Sequence, residues 1–107
     1  MTSIQFFRKD GLYTGFSFKG HAGQAPEGEN IVCAAISASV ELTECQLTDV
    51  LKLDTEVEVD ARTARVTVIT KTPHPLAQAP IIALRMYMEQ LEEEYPRFLK
   101  ISEVSPC

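Results

Sequence analysis

The chain has 107 residues and a formal net charge of -5 at pH 7. This length predicts one domain, residues 1–107, around a single core. The acidic balance argues against direct nucleic-acid binding, which needs clustered Lys and Arg, and it favours a basic partner instead.

The sequence also bears on location and cofactors. It has no run of 18 or more apolar residues and no signal-peptide pattern, so we expect no membrane partner and a cytoplasmic location. Cys33, Cys45 and Cys107 are an odd number without a Cys-x-x-Cys pair, which argues against a disulfide scaffold and a zinc site. We therefore expect neither a metal nor a cofactor. Cys45, late in the first predicted helix, is interpreted as a packing residue.

The chain opens with a predicted β-hairpin. Residues 3–8 and 12–19 are rich in Phe, Tyr, Thr and Ile, which favour strands. The pair Asp10-Gly11 between them is typical of a two-residue hairpin turn. The second strand leads directly into a glycine-rich loop that carries His21.

The loop ends at the start of a small-residue helix. Asn30 is a favoured N-cap type, so the helix is predicted to begin at Ile31. Cys33 would then lie in the first turn, where the helix dipole and unpaired backbone N–H groups favour a thiolate. Glycines in the loop would let the backbone double back, so that His21 reaches the thiol. A Cys–His pair within hydrogen-bond reach is the minimum for thiol acyl transfer.

Residues after Cys33 offer supporting roles. Backbone N–H groups around Cys33 and Ala34 could form an oxyanion hole. Ser37 lies four residues on, where it could hydrogen-bond near the thiol or the substrate, or simply permit close packing against a sheet. A lone Cys in an Ala-rich helix and a lone His beside glycines are also common as packing and loop residues. The residue pattern alone therefore leaves the catalytic pair open.

The same helix, from Asn30 to about Leu51, is predicted to be amphipathic. Its apolar positions recur at spacings of three and four, namely Val32, Ile36, Val40, Thr43 and Leu47.

A second hairpin is predicted at residues 55–60 and 65–70. Its acidic residues Glu56, Glu58 and Asp60 share one face, which is either solvated or able to attract a basic substrate segment.

The last third of the chain is predicted to form a helix and a strand. His74 stands between two prolines and is interpreted as a turn residue, ranking behind His21 as a catalytic base. A helix at residues 75–95 has a core stripe of Ile81, Leu84, Met88, Leu91 and Tyr95. Ile82 and Met86 form a second apolar patch that could be a dimer contact. Pro96 ends the helix, and residues 98–104 read as a final strand.

The predicted elements define the fold class. Their order is strand, strand, helix, strand, strand, helix, strand. This order indicates a single two-layer α+β domain with both helices packed on one face of a largely antiparallel sheet.

The loop and the helix start together resemble the ribosomal-processing cysteine protease family, Prp. The resemblance rests on Gly20-His21-Ala22-Gly23 and on Ile31-Val32-Cys33-Ala34-Ala35-Ile36-Ser37, and it extends to Glu94-Tyr95-Pro96. It implies a homodimeric cysteine endopeptidase that removes the N-terminal extension of a basic large-subunit ribosomal protein, number twenty-seven, by cutting after a Phe-Phe pair. It also implies Cys33 as the nucleophile and His21 as the general base.

Position 30 departs from the family pattern, which usually has Asp before Ile-Val-Cys. Asn30 can cap a helix and orient a histidine ring, but it has no charge to stabilise an imidazolium. Glu27 and Glu29 are possible substitutes for this third catalytic position. Residues 22–29 are interpreted as a flap that closes over the substrate. The predicted substrate-loop residues are Gly20, Ala22, Gly23, Glu27, Gly28 and Glu29.

Two other functions are compatible with the sequence. A non-catalytic, ribosome-associated peptide-binding or assembly factor could capture the same extension without cutting it, and Asn30 favours this alternative. A thiol-based peroxide sensor acting through Cys33 is the second.

Overall fold

Five strands form one mixed sheet in the order β3-β4-β2-β1-β5, and two helices pack on one of its faces. The computed structural model describes residues 1–20 and 27–105. For residues 27–29 it describes the backbone only. The elements are β1 (Thr2–Lys9), β2 (Leu12–Lys19), α1 (Glu27–Cys45), β3 (Thr55–Asp60), β4 (Arg65–Thr70), α2 (Pro75–Glu94) and β5 (Leu99–Val104). The predicted α+β class and element order are confirmed. All strand pairs are antiparallel except β1 and β5, which run parallel.

The first hairpin turns at the predicted pair. Asp10 and Gly11 have φ values of 55° and 80°, and a tight hairpin turn of this type needs positive φ at both central residues. Farther along, Phe7 pairs with Gly15 and Arg8 with Tyr13, so Thr14 is the extra residue of a β-bulge. The bulge changes the direction of the side chains at the start of β2. From Gly15 to Lys19 the pairing with β1 is regular, and the strand leads to Gly20.

Aromatic and branched side chains of the sheet meet the helices in one core. Across three strands, Phe6 lies opposite Phe16, which lies opposite Val68, and all three are fully buried. The predicted stripe of α1 packs onto this layer, and its members Val32, Ile36, Val40, Thr43 and Leu47 are all buried. Alternation on the strands and three-four spacing on the helices therefore place the core as the sequence predicts.

The start of α1 differs from the prediction. The helix begins at Glu27 and not at Ile31, so Asn30 lies inside the helix and is not its N-cap. The predicted flap is likewise wrong at its C-terminal end, because Glu27, Gly28 and Glu29 belong to the first helical turn. Asn favours the cap position, but it is also tolerated inside a helix at modest cost.

The far end of α1 continues into a π-helical turn, Gln46–Val50. Cys45 at the junction is exposed, so its interpretation as a packing residue is wrong. By length and composition alone, the segment Asn30–Val50 is apolar enough to span a membrane, with a mean hydropathy of 1.2. Its buried stripe packs against the sheet, and 28% of the most apolar window is buried.

The second helix covers the other half of the sheet. His74 is its N-cap, and its Nδ1 accepts a hydrogen bond from the backbone N–H of Leu76 at 3.1 Å. Four of the five predicted stripe positions, Ile81, Leu84, Met88 and Leu91, are buried, and Tyr95 is half-buried. Ile82 and Met86 are exposed on the opposite side, as the predicted second patch requires.

Candidate active site

Cys33 lies where α1 crosses one end of the sheet. Its Sγ is 3.6 Å from the side-chain oxygen of Thr2, at the beginning of β1. A Cβ placed on Gly20, immediately after β2, would lie 3.6 Å from the same sulfur. The thiol is therefore half-buried between the start of one central strand and the end of its neighbour. It packs against the hydrophobic core without being fully buried in it.

Backbone hydrogen bonds fix both neighbours of the sulfur. The N–H of Thr2 donates to the carbonyl oxygen of Phe98 at 2.9 Å, and the N–H of Gly20 donates to the carbonyl oxygen of Ala64 at 3.0 Å. Thr2 is fully buried. The surroundings of Cys33 are thus set by the sheet, which is the rigid kind of support that a reacting group needs.

The predicted general base lies outside the described residues. The chain passes from Gly20 directly to His21, and His21, Ala22 and Gly23 all fall in the stretch 21–26 that the structure does not describe. The distance from imidazole to thiol, and with it the catalytic pair, stays a prediction. What the structure places is the residue before His21, and this residue lies against the Cys33 sulfur.

The predicted oxyanion donors are affected by the earlier helix start. Only the first four N–H groups of an α-helix lack an intrahelical partner. In a helix that begins at Glu27, the N–H groups of Cys33 and Ala34 come later and belong to the helical ladder. The prediction that these two groups bind the oxyanion does not agree with this geometry. The dipole argument weakens too, because Cys33 lies about 9 Å along the axis from Glu27 and the effect falls off within the first turn.

Three predicted supporting residues surround Cys33 on α1. Ala34 and Asn30 are exposed, and Ser37 is half-buried, as Cys33 is. Ser37 lies one turn after Cys33 on the same side of the helix and lines a groove described below. Ser37 therefore borders an open groove while part of it is packed, so both of its predicted roles stay open.

His74 is at the wrong end of the sheet to serve Cys33. One turn after His74, Gln78 is hydrogen-bonded to both backbone groups of Tyr13, at the start of β2. Cys33 instead lies against Gly20, beyond the end of β2. Seven strand residues separate these points, a distance of about 23 Å. The ranking of His74 behind His21 agrees with this separation.

A dense polar cluster also occupies that distant end. Arg8 and Arg85 donate to the Tyr13 hydroxyl at 2.7 and 3.0 Å, and both pair with the carboxylate of Glu103. The hydrogen bond to Tyr13 and the nearby Glu103 charge raise the pKa of the Arg8 guanidinium above its usual value. The cluster ties α2 and β5 to the first hairpin and plays a structural part.

A groove lies between α1 and the second hairpin, and it begins at Ser37, one helical turn after Cys33. Its walls are largely apolar, and its volume is about 250 Å³. The residues forming these walls are Phe18, Ser37, Val40, Val57, Val59 and Val66. Glu41 and Glu44 of α1 also line it, so the groove combines an apolar floor with an acidic side.

A second hollow lies on the other side of Thr2. It is bounded by Met1 at the chain start and by Leu99 and Lys100 of β5, and its acidic residues come from the end of α2. Its volume is about 600 Å³, and Glu89, Glu92 and Glu93 line it. Among the residues that the structure describes, no group of three or more His, Cys, Asp or Glu side chains could hold a metal ion.

Sequence reasoning missed Thr2 and Phe18. Thr2 is 31 positions from Cys33, and nothing in the sequence pairs a strand's first residue with a helix thiol. Phe18 reads as an ordinary strand aromatic, although a Cβ on Gly20 would lie 3.5 Å from its ring. The parallel pairing of β5 with β1 does help to explain the placement of Thr2, because it anchors the start of β1 beside Phe98.

A helix-borne cysteine thus lies over the end of a sheet, and an apolar groove begins one helical turn farther along α1. The family model for cysteine protease Prp matches residues 1–100, so nearly the whole chain is covered. The chain belongs to the cysteine protease Prp family and is a peptidase. The resemblance seen in the sequence is thereby confirmed.

Solved structures share the fold over the full length. SMU.848 from Streptococcus mutans is 21% identical, with a TM-score of 0.85 and 99% of each chain covered. The ribosomal processing protease Prp from S. aureus in complex with a substrate peptide is 20% identical, with a TM-score of 0.86, covering 97% of this chain and 100% of that one. The same S. aureus protease with a covalently linked product peptide has a TM-score of 0.82 at 21% identity and the same coverage. No curated protein sequence matches the chain.

Proposed function

We propose that this protein is the cysteine endopeptidase that removes the N-terminal extension of a basic large-subunit ribosomal protein, number twenty-seven, by cutting after a Phe-Phe pair. Family membership supports the class of reaction. The S. aureus protease of the same fold is a ribosomal processing enzyme and binds a substrate peptide, which supports the class of substrate. The net charge of -5 suits a basic target in the cytoplasm.

One observation carries the proposal. The Cys33 sulfur lies at the end of β2, against the residue that precedes His21. His21 follows Gly20 directly in the sequence, so its backbone is attached next to this contact.

The chemistry follows from these two groups. His21 takes the proton of the Cys33 thiol, and the sulfur attacks the carbonyl carbon of the second Phe. The tetrahedral intermediate collapses, the C–N bond breaks, and His21 gives its proton to the leaving amine. Water, activated by His21, then hydrolyses the thioester and releases the carboxylate product. Asn30, three residues before Cys33 on α1, is proposed to orient the imidazole through its side-chain amide.

Thr2 is proposed as a positioning residue for the sulfur. Its hydroxyl is 3.6 Å from Sγ and can donate to the thiolate while its backbone stays fixed by Phe98. Because α1 begins at Glu27, the helix dipole contributes little, and side chains have to hold the reactive sulfur in place.

The test is cleavage of a peptide with a central Phe-Phe pair, followed by mass spectrometry. Cys33→Ala should abolish the truncated product while the circular dichroism spectrum stays unchanged, and His21→Ala should reduce the rate by at least about a hundredfold. Cys45→Ala, at an exposed thiol of the same helix, is the control and should cleave normally. Turnover by Cys33→Ala would end the protease proposal.

A non-catalytic binder is the second candidate, favoured by Asn30, which is exposed on α1 and carries no charge. A stable complex of the wild-type chain with the intact peptide would support it. A peroxide sensor would instead show faster oxidation of Cys33 than of Cys45, with no peptide product.

We also propose that the protein forms homodimers through the outer side of the helices. Ile82 and Met86 are 42% and 58% exposed, and Leu42 of α1 and Tyr87 are exposed nearby, along a groove between the two helices. An apolar surface of this kind is typical of an interaction site. Sedimentation velocity should show a dimer for the wild type and a monomer for Met86→Asp. A monomeric wild type at high concentration would contradict the proposal.

A further inference from the structure

The groove between α1 and the second hairpin has the size of a side-chain pocket. Its volume of about 250 Å³ exceeds that of an engineered cavity of about 150 Å³ that holds benzene. Val66 and Phe18 form part of its floor, and both belong to the inner strands of the sheet. One aromatic or large aliphatic side chain would fill this space.

Two valines at the outer side of the groove are left uncovered. Val57 and Val59 of β3 are 40% and 71% exposed, although they are on the face of the sheet that carries the helices. The reason is that β3 is an edge strand and the helical layer does not extend over it. An apolar occupant would remove both side chains from water.

Two residues that line the groove, Ser37 and Phe18, lie close to Cys33. Ser37 lines it and lies one helical turn from Cys33, about 6 Å along the axis. Phe18 also lines it, and both its ring and the Cys33 sulfur are within 3.6 Å of a Cβ placed on Gly20. An extended chain covers about 6 Å with two residues. A side chain in the groove would therefore belong to a residue about two positions from the reacting carbonyl.

The acidic residues around the groove indicate the charge of the segment that binds there. Glu41 and Glu44 line the groove, and no Lys or Arg is among its described lining residues. The other face of β3 adds Glu56, Glu58 and Asp60, all exposed. Pairing of β3 with the same strand of a second copy would bring these carboxylates together, and like charges across a strand pair are destabilising. A basic segment is favoured instead.

We infer that this groove is the specificity pocket of the peptidase. It takes an apolar side chain about two residues from the cleaved bond of an extended peptide, and Glu41 and Glu44 attract basic residues beside it. This inference rests on the proposed function for the identity of the reacting residue. Binding to the groove can be measured without any cleavage.

The test uses the full chain with Cys33→Ala, so that binding is separated from chemistry. The probes are two fluorescein-labelled dodecapeptides with a central Phe-Phe pair, one flanked by Lys and the other by Glu, and the readout is fluorescence anisotropy. Val59→Asp should weaken binding of the Lys peptide about tenfold or more, because a carboxylate would replace apolar contact. Val50→Asp is the control, because Val50 lies outside the groove and is 70% exposed, as Val59 nearly is. Its affinity for the Lys peptide should stay within about twofold of the value without this substitution.

A charge reversal tests the acidic side. Glu44→Lys should weaken binding of the Lys peptide about threefold or more at low salt and strengthen binding of the Glu peptide, and both changes should shrink at high salt. If Glu44 had only a structural role, Glu44→Lys would change the affinities for both peptides in the same direction. Thermal melts of each variant check that the fold is retained.

Each outcome decides one of the two ideas. Equal affinities of Val59→Asp and Val50→Asp, or a Glu44→Lys effect that ignores peptide charge, would overturn the groove inference while leaving cleavage by the wild type intact. Tight, groove-dependent binding without cleavage by the wild type would overturn the protease and keep the groove. No binding of either peptide to the Cys33→Ala chain would overturn the groove inference.

Discussion

The substitution Thr2→Val tests whether a hydroxyl holds the Cys33 sulfur. Thr2 is fully buried, and Val keeps its shape, its β-branching and its preference for strands while replacing the hydroxyl with a methyl group. The backbone hydrogen bond to Phe98 is retained, because it uses the N–H of residue 2. The change therefore removes one interaction, the contact between oxygen and sulfur at 3.6 Å.

The expected loss of kcat follows from the energy of that contact. A hydrogen bond within a protein contributes about 0.5–1.5 kcal/mol net, and a long contact to sulfur belongs in this ordinary range. Since about 1.4 kcal/mol corresponds to a tenfold change in rate, kcat should fall about two- to tenfold. KM should stay unchanged, because a fully buried Thr2 has no surface with which to touch substrate. Thr2→Ser keeps the hydroxyl, so its kcat should stay within about twofold of the wild-type value.

The assays are peptide cleavage and alkylation of Cys33 by iodoacetamide at pH 7. Both rates should fall together in Thr2→Val, whereas the exposed Cys45 provides an internal reference whose alkylation stays constant. The thermal midpoint should be equal or higher, because a methyl group suits a buried site. Wild-type kcat in Thr2→Val would refute the role of the hydroxyl. An equal loss in Thr2→Ser would attribute the effect to packing.

Two further predictions concern the fold that holds the site. Gly15→Ala should lower the free energy of unfolding by about 2–4 kcal/mol in urea titrations, because the new Cβ would lie 2.1 Å from the Val68 carbonyl oxygen and β2 would have to move away from β4. Gly20→Ala is its control, because a Cβ there has ordinary contacts, and it should lower the free energy of unfolding by less than about 1 kcal/mol. Equal losses in the two variants would contradict this geometry. Gln78→Ala should cost about 2–4 kcal/mol, because it removes hydrogen bonds of 2.7 and 2.9 Å to the backbone of Tyr13, and an unchanged urea midpoint would show that water replaces them.

Most of the fold could be predicted because its signals are local. The Asp10-Gly11 turn, the alternation in β3 and β4 and the three-four spacing of α2 each depend on residues that are close in sequence. The predicted start of α1, Ile31, is four residues later than the observed start at Glu27, because the cap preference of Asn30 is a stronger local signal than the residues before it. The parallel pairing of β5 with β1 depends on contacts nearly a hundred residues apart, so no local pattern reveals it.

The candidate site was predictable only in part, for the same reason. Cys33 stands out in the sequence by its motif, and the structure places it over the end of β2, while its catalytic role stays a prediction. Thr2 and Phe18 reach the site through strand pairing, and neither residue carries a chemical signal of its own. Val59 reads as a regular strand position, and only the sheet order shows that it borders an open groove.

The position of Cys33 within α1 decides what makes its sulfur reactive. A cysteine in the first turn could rely on the helix dipole and on unpaired N–H groups, which act whatever the loop does. Cys33 lies beyond that turn, so it has to rely on side chains brought from other elements, namely the Thr2 hydroxyl and the proposed imidazole of His21. Reactivity should then depend on how the loop after Gly20 is placed. Alkylation of Cys33 in His21→Ala should be slowed at least as much as in Thr2→Val, and rates equal to the wild type would show that the helix alone activates the thiol.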